Sequence, residues 1–328
     1  MATYKGIQGY SVQSFATDPT ASSDTTGQLF YNSTSGDFKV SVAGAGAWAS
    51  GGARNNGYYD GTGCGTQTAA LAVFGAAPAI SLKTEEYNGT AWTEVTGAPT
   101  AFMLSAGGGV QTSAVFASGA FPALNTESYE YDGTNWTEGG DITSGRKGAG
   151  GSGASSTAAL IFGGEPPGPA GIALTEQYNG TAWSETGDLN QARYNISGLG
   201  ITTATLACAG SEPQASKGAY VEEFNGTTWS EKSALNQARH NAAQNGAGTT
   251  TLALISGGFN GGATGKTEAY DGTSWTEVAD LATARANTYG GGTQAAAIVS
   301  GGSPPAGSQP ATEEWTDPVY AIKTVTVS

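Results

Sequence analysis

Residues 84–94 read TEEYNGTAWTE, and closely related stretches return at 129–138, 175–185, 222–231 and 267–277. Each contains an aromatic residue, an Asn-Gly or Asp-Gly pair and then a tryptophan. Such a pair between two short runs predicts a β-hairpin with a type I′ turn, which needs positive φ at two positions. The first aromatic residue and the tryptophan are therefore expected on the third and fourth antiparallel strands of a repeated unit.

The tryptophans set the length of this unit. The first five intervals between them are 44, 44, 47, 46 and 46 residues. Upstream lies a small-residue stretch and then a short apolar run, as in TAALIFGG ending at Gly164. Four short strands in a period of about 45 residues are typical of a β-propeller blade. We predict an all-β, six-bladed propeller with four antiparallel strands per blade. The repeat tryptophans are Trp48, Trp92, Trp136, Trp183, Trp229 and Trp275.

The two ends of the chain depart from the repeat. Trp48 keeps the period without a complete unit before it, so residues 38–48 are expected to complete the last blade. Trp315 occupies the position of the first aromatic residue, and Tyr320 is predicted to take the tryptophan position after it. The predicted domains are an N-terminal attachment segment at residues 1–27 and the propeller at residues 28–328.

Composition narrows the class of protein. Only 12% of the residues are charged and 52 of 328 are glycine, but seven Trp, fourteen Tyr and ten Phe exclude a disordered polar chain. A net charge of −14 repels phosphate backbones, so nucleic acid is not an expected partner. No apolar run approaches the roughly 18 residues that a membrane-spanning helix needs. The first residues also lack the basic and apolar regions of a signal peptide.

One unit shows a family resemblance most clearly. It contains Gly163, Gly164, Glu176, Tyr178, Trp183 and Arg193. This order resembles the kelch repeat, although the gap between Tyr and Trp is shorter than in the usual pattern. In the first two units the glycine pair becomes Phe74-Gly75 and Ser118-Gly119. The resemblance implies the propeller fold and says little about activity, because propellers host many functions.

The opening of the chain carries a second resemblance. The stretches MATYKGIQGYSVQSFATDP and GQLFYNSTSGDFKV, followed by the repeats, look like proteins encoded by tailed phages of marine bacteria. Those proteins are generally taken for virion appendage or tail-fibre components. The resemblance implies a place on the virion surface or tail, other virion proteins as partners and several copies per particle. It also implies a host surface glycan or protein as a target.

The sequence offers few residues for a metal-binding or catalytic site. His240 is the only histidine, so a zinc triad cannot be assembled, and we predict no metal and no cofactor. Glycoside hydrolysis needs two carboxylates set apart for acid and base work. The candidate acids instead recur once per unit, which favours a scaffold role. They are Glu85, Glu176, Glu222, Glu268 and Glu313.

The candidate ligand-binding residues follow the tryptophans by about ten positions. They are Arg146, Arg193, Arg239 and Arg285, with Asn195, Asn241 and Asn287 two residues later. We expect them near one mouth of a central channel, where the first two units have Tyr58 and Phe102. Either they brace the preceding loop, or they form a ring of donors for a carboxylate, a sulfate or sugar hydroxyls. Tyr194 and Tyr220 would supply an aromatic platform.

The function expected from these features is non-enzymatic. We expect a virion-associated structural or host-recognition protein that displays a propeller head. The alternatives are a glycan-binding or glycan-processing propeller enzyme and an intracellular kelch-type adaptor that binds a protein. The predicted binding surface is the face with the long loops at residues 164–174 and 210–220, since variable loops on a rigid scaffold usually carry recognition.

Overall fold

A computed structural model describes residues 12–77, 79–120, 123–168, 170–212, 218–243, 246–303, 307–317 and 320–326. Among these residues, helix is confined to one 3-10 turn, Ser23–Thr25. The strands of this part of the chain form seven four-stranded sheets. The chain divides into two compact units, one made of Met1–Ala47 with Asp317–Ser328 and the other of Trp48–Thr316.

The first unit holds the terminal sheet, which has the strand order β1-β2-β3-β28. Its strands are β1 (Gln13–Phe15), β2 (Leu29–Asn32), β3 (Asp37–Ala43) and β28 (Tyr320–Thr324). Strands β1 and β2 are parallel, and the other two pairings are antiparallel. Because Tyr320 lies in this sheet beside β3, the prediction that it takes a tryptophan position of the repeat is wrong.

The second unit holds the other six sheets of the described chain, here numbered I to VI. Sheet I contains β5 (Thr62–Thr66), β6 (Ala69–Val73), β7 (Thr84–Tyr87) and β8 (Trp92–Val95). Sheet II contains β9 (Ala106–Val110), β10 (Ser113–Ala117), β11 (Ser128–Tyr131) and β12 (Trp136–Glu138). Sheet III contains β13 (Gly150–Ser155), β14 (Ala158–Phe162), β15 (Thr175–Tyr178) and β16 (Trp183–Glu185).

The remaining three sheets follow the same order along the chain, except at the last strand. Sheet IV contains β17 (Ser197–Ile201), β18 (Ala204–Cys208), β19 (Val221–Phe224) and β20 (Trp229–Glu231). Sheet V contains β21 (Ala247–Gly248), β22 (Ala253–Ser256), β23 (Thr267–Tyr270) and β24 (Trp275–Val278). Sheet VI contains β25 (Tyr289–Thr293), β26 (Ala296–Ser300), β27 (Thr312–Thr316) and β4 (Ala47–Ser50).

Sheet VI takes its fourth strand from the chain segment before the repeats. Strand β4 lies beside β27, and Trp48 holds the tryptophan position there. Its ring packs on Trp315, with 5.6 Å between the ring centroids. The indole N–H of Trp48 donates to Thr267 Oγ1 of sheet V at 3.1 Å, just as that of Trp92 in sheet I donates to Thr312 Oγ1 of sheet VI at 2.9 Å. Each of these tryptophans therefore links its sheet to the preceding one.

The first strands of sheets I to VI lie side by side in a closed cycle. Strands β5, β9, β13, β17, β21 and β25 each contact the next, and β25 contacts β5. The Gly302 N–H donates to the Tyr58 carbonyl oxygen at 2.9 Å and so joins sheet VI to sheet I. The predicted all-β class is confirmed, and the fold is propeller-like. The sheet count in the described residues is seven, where the sequence predicts six blades, because the terminal sheet lies outside the repeat.

Bonds between tyrosine and glutamate connect the third strands of neighbouring sheets. They are Tyr87–Glu314, Tyr131–Glu86 and Tyr178–Glu130. The accepting glutamate stands one residue before the aromatic residue of its own third strand. In sheet III this position holds Gln177, and the next sheet, IV, has Phe224 in place of the donor tyrosine, so there is no hydroxyl group to donate. Where sheet V presents Ala269, sheet VI presents the larger Trp315, which packs in the same apolar cluster. The donor and acceptor positions of neighbouring sheets are therefore matched.

The turn between the third and fourth strands differs from the predicted type I′ turn. Four residues separate Tyr87 from its partner Trp92, and within them only Gly89 has positive φ, at 87°. Asn88 Oδ1 accepts the N–H groups two and three residues further on, at 3.0 and 2.9 Å. Asp132 makes the same two bonds in sheet II. The position needs a side-chain acceptor, and for this reason it holds Asn in some sheets and Asp in others.

At some positions the first strands of neighbouring sheets pack too closely for any side chain. A Cβ atom on Gly198 of sheet IV would overlap the carbonyl oxygen of Gly151 in sheet III. The apolar core lies instead between the faces of neighbouring sheets. There the second strand supplies residues with no exposed surface, such as Leu160, Ile161 and Phe162. The small-residue stretches therefore set the distance between sheets around the axis.

Replacing Gly198 with Ala tests this close approach. The added methyl group meets backbone on the neighbouring strand, which cannot rotate away, so we expect a loss of about 3 kcal/mol in stability. Thermal unfolding monitored by circular dichroism measures it. Gly262→Ala is the matched control, because nothing lies within 4 Å of a Cβ atom there and φ is not positive. Equal melting temperatures for the two variants would contradict the packing argument.

Candidate functional site

The four arginines singled out by the repeat are fully buried. Each is 0% exposed and bonds a carboxylate on the third strand of its own sheet. The pairs are Arg146–Glu176, Arg193–Glu222, Arg239–Glu268 and Arg285–Glu313. In the first pair Nη1 and Oε1 are 2.6 Å apart. Burial lowers the pKa of the Arg146 guanidinium, and the bond to Glu176 opposes this effect.

The paired glutamates also hold the loop that precedes each first strand. Glu176 Oε2 accepts the backbone N–H of Thr143 at 2.8 Å. Glu222 Oε2 accepts both the backbone N–H and the side-chain Nδ2 of Asn190, at 2.7 and 2.8 Å. Each carboxylate thus joins a guanidinium to loop backbone. This geometry matches the bracing interpretation, and ligand binding by these arginines stays a prediction.

Sheet I contains an equivalent pair that the repeat spacing did not reveal. Tyr58 holds the expected arginine position, but Arg54, four residues earlier, reaches Glu85 with Nε and Oε2 2.6 Å apart. Both side chains are 0% exposed. The guanidinium carbon also lies 4.1 Å from the ring centre of Tyr289 in sheet VI, a cation–π contact. The signal in the sequence was Glu85 itself, since a repeated buried acid needs a cation nearby.

Sheet II replaces both partners together. Phe102 stands at the arginine position and Tyr129 at the glutamate position, with 5.8 Å between the ring centroids. The Tyr129 hydroxyl bonds Thr100 Oγ1 at 2.9 Å. Removing only one partner would leave a buried charge without compensation, which is strongly destabilising, whereas an apolar pair of similar volume is tolerated. The arginine and the glutamate therefore act as one unit.

The substitution Arg193→Ala is expected to cost about 3–5 kcal/mol in the free energy of unfolding, because Glu222 stays buried without its cation. The double variant Arg193→Phe with Glu222→Tyr, which copies sheet II, should recover at least half of that loss. Chemical denaturation of the wild type and both variants measures the difference. If the double variant were less stable than the single variant, the Arg193–Glu222 pair would have to stabilise the fold by more than the mutual compensation of its two buried charges.

Two residues after the arginine position, the backbone is left-handed in each of sheets I to VI. The residues are Asp60, Leu104, Gly148, Asn195, Asn241 and Asn287, with φ between 52° and 65°. We call this set the mouth ring, because it lies where the first strands begin. Gly, Asn and Asp adopt this conformation most readily. Backbone bonds join successive members, as from Leu104 N to Asp60 O at 2.8 Å and from Asn287 N to Asn241 O at 2.9 Å. The three predicted asparagines are thus brought together.

The axial cavity inside the ring of first strands is small. Its volume is about 100 Å³, and its lining includes Cys64, Gly108, Ser152 and Leu199. Such a volume corresponds to about three water molecules. Burial raises the pKa of the Cys64 thiol to about 12, so this thiol is protonated at neutral pH and is a poor nucleophile. A sugar or peptide has to bind outside the cavity.

One position on the mouth side has the same backbone in each repeat sheet but a side chain that varies, half-buried in five sheets and buried in sheet VI. It follows the arginine position and is occupied by Tyr59, Met103, Lys147, Tyr194, His240 and Ala286. Each of these residues forms an isolated antiparallel bridge to the loop after the second strand. The partners are Ala76, Ala120, Glu165, Ser211, Phe259 and Ser303. We call these twelve positions the mouth face.

The two tyrosines of the predicted aromatic platform differ in their placement. Tyr194 belongs to the mouth face. Tyr220 lies outside it, immediately before β19, where its carbonyl oxygen accepts the N–H of Ala209 at 2.8 Å. Parts of the predicted binding loops, residues 169 and 213–217, lie outside the described residues.

Asp60 is the ionisable member of the mouth ring, and its burial raises the pKa of its carboxyl group to about 6. Nearby are the Tyr289 phenol and the Arg54–Glu85 pair. A raised pKa means that ionisation destabilises the fold. This cost is absent below about pH 4, the unfolded value, and complete above the folded value.

We therefore expect Asp60→Asn, which supplies the residue found at this position in three other sheets, to stabilise the protein at pH 7.5 by about 1–2 kcal/mol. The gain should disappear as the pH falls to about 4. Thermal unfolding of both proteins between these pH values measures it. A gain that is independent of pH would show that the carboxylate charge is not its cause.

Among the described residues, no group of three or more His, Cys, Asp or Glu side chains is arranged to hold a metal ion. In the same part of the chain, no helix has the length and apolar character required to cross a membrane.

Comparison with known proteins gives the fold class and nothing finer. No family model and no curated protein matches the sequence. Among solved structures, the one described as "Structure of YjhT" is similar, with 12% identity and a TM-score of 0.64. The match covers 84% of this chain and 99% of that chain, which is a propeller-type protein. At this identity the likeness shows the fold alone, and propellers support many unrelated functions.

Proposed function

We propose that this chain is a non-enzymatic recognition and display protein of a virus particle. In this proposal sheets I to VI are the six blades of a kelch-type propeller, and the terminal sheet is not counted as a blade. The closed cycle of first strands supports the blade count. The bond from Gly302 to Tyr58 and the placement of β4 in sheet VI support it as well.

The mouth face is the observation that carries the proposal. At neighbouring positions the side chains repeat, because they hold the fold: arginine is paired with glutamate, and tryptophan is packed between sheets. On the mouth face the backbone repeats, and six equivalent residues carry six side chains that are mostly different. Variable groups on a rigid frame are the usual form of a recognition surface.

The chemistry of the mouth face suits a glycan. Tyr59 and Tyr194 present rings, and His240 packs on Phe259 with 5.4 Å between the ring centroids. Phe259 remains 40% exposed. Aromatic faces beside polar groups are the usual elements of sugar binding. We propose a host surface glycan as the target and keep a host protein as the alternative.

The terminal unit offers a surface for attachment. Phe15 and Leu29 are 36% and 38% exposed, and both line a cavity of about 720 Å³. We propose that this surface contacts other virion proteins. Residues 12–27 of the predicted attachment segment contribute to it, and residues 1–11 lie outside the described residues. Several copies per particle would convert weak individual contacts into firm adhesion.

Labelling of particles tests the place of the protein. Particles of the virus whose genome encodes this chain are incubated with gold-labelled antibody against it and viewed by negative-stain electron microscopy. We expect label at the tail or at a surface appendage. Unlabelled particles, with the chain found only in infected-cell lysate, would contradict the display role and favour the intracellular adaptor.

A glycan array tests the mouth face. Tyr194→Ala should reduce binding of the intact protein to its best glycan at least tenfold, because an aromatic platform contributes about 1 kcal/mol or more beyond its area. Ile201→Ala is the matched control, since Ile201 is 46% exposed at the opposite end of strand β17. Equal losses in both variants, or a loss only in the control, would place the binding surface elsewhere.

A further inference from the structure

Three turns between third and fourth strands carry an exposed asparagine followed by glycine. The pairs are Asn88-Gly89, Asn179-Gly180 and Asn225-Gly226, in sheets I, III and IV. We call them the Asn-Gly turns. In each, the asparagine Oδ1 accepts the N–H groups two and three residues further on, at 2.9–3.0 Å. The side chain is therefore folded back over its own turn.

The glycine of each Asn-Gly turn is open to reaction. Within the described part of the chain its backbone N–H makes no hydrogen bond. It also has no side chain to shield the backbone nitrogen, and its φ of 87–96° suits glycine. Asparagine is among the thermolabile residues of proteins. The two groups that react in deamidation, the asparagine amide and the next backbone nitrogen, are thus both accessible.

Two other asparagines show the opposite arrangement. Nδ2 of Asn190 donates to Glu222 Oε2 at 2.8 Å, and the next backbone N–H, that of Gln191, donates to Oε1 of the same carboxylate at 3.3 Å. Asn236 repeats both bonds with Glu268. There the fold holds the amide and the backbone nitrogen in place.

The product of deamidation already occupies the equivalent turns of sheets II and V. Asp132 Oδ1 accepts the same two N–H groups at 2.8 and 2.7 Å, and so does Asp271 Oδ1. Such bonds are stronger to a carboxylate than to a neutral amide. They hold the pKa of both carboxyl groups below the usual value. The turn therefore accepts aspartate as well as asparagine.

We propose that Asn88, Asn179 and Asn225 are sites of spontaneous deamidation and that the folded turn favours aspartate over isoaspartate as the product. The glycine nitrogen forms a bond to the asparagine Cγ, the Cγ–Nδ2 bond breaks, and ammonia leaves with the glycine amide proton. Water then opens the succinimide ring. Cleavage between Cγ and the glycine nitrogen gives aspartate and restores the backbone. Full reaction adds three negative charges to the net charge of −14.

Isoaspartate does not fit the same turn. It forms when water opens the ring at the backbone carbonyl, and it adds a methylene group to the main chain. In sheet I only four residues separate Tyr87 from its partner Trp92, and both of these side chains are buried. A longer backbone has to break this pairing or the bonds across the turn. The inference does not depend on the proposed virion role.

Peptide mapping by mass spectrometry of the intact protein, kept folded at mildly alkaline pH, tests the sites. We expect the Asn-Gly turns to react at least tenfold faster than Asn190 and Asn236. Asn56-Gly57 is the matched control for sequence, because a Cβ atom on Gly57 would lie 2.8 Å from the backbone of Gln309, and this packing should slow the reaction. No reaction at the turns, or a faster reaction at Asn56, would overturn the proposal.

A synthetic peptide of residues 84–94 separates the effect of the fold from that of the sequence. The ratio of aspartate to isoaspartate should be at least twofold higher at Asn88 in the folded protein than in the peptide. An equal ratio would show that the turn does not select the product. The triple variant Asn88→Asp, Asn179→Asp, Asn225→Asp should keep the wild-type melting temperature, whereas alanine at the same positions should lower it. Equal losses in both variants would also contradict the proposal.

Discussion

The buried bond between an arginine and a glutamate organises the mouth side of this fold. The arginine lies in the loop before a first strand, and the glutamate lies on the third strand of the same sheet, so the bond fixes the loop against its sheet. The same loop then offers its carbonyl oxygen to the preceding sheet, as Tyr58, Arg193 and Arg239 do for Gly302, Gly164 and Gly210. A guanidinium buried without its partner would release the loop. The contact between sheets would be lost with it.

Much of the fold was predictable, because it depends on features that repeat. The tryptophan period and the small-residue stretches gave the all-β class and the four strands per unit. The role of Tyr320 was mispredicted since its spacing after Trp315 imitates the repeat, while Trp48, which lies far away in sequence, is the residue that packs there. Spacing describes only neighbours along the chain. The closure of a ring is a contact between residues more than 200 positions apart.

The candidate site was predictable in its residues and less so in its geometry. Arg193 stands out in the sequence, but its burial depends on the turn after the second strand of its own sheet, where its Nε donates to the carbonyl oxygen of Ala209. That turn is left-handed even where the first glycine is replaced by Phe74, Ser118 or Ala209. In the sequence alone, such replacements look like a loss of the glycine pair. The backbone shows that the conformation is kept and that packing around it outweighs the strain.

The matched positions on the third strands make the repeats non-interchangeable. Tyr178 needs a carboxylate on the sheet before it, whereas Phe224 follows a sheet that presents Gln177. If recombination between the similar gene segments deleted one copy or exchanged two, new neighbours would meet. A phenylalanine would then face a glutamate that has lost its donor, or a tryptophan would meet a longer side chain than Ala269. The contacts between third strands thus fix the order of the sheets. A ring of this kind would gain or lose a unit only if the facing side chains of the adjacent sheets also changed.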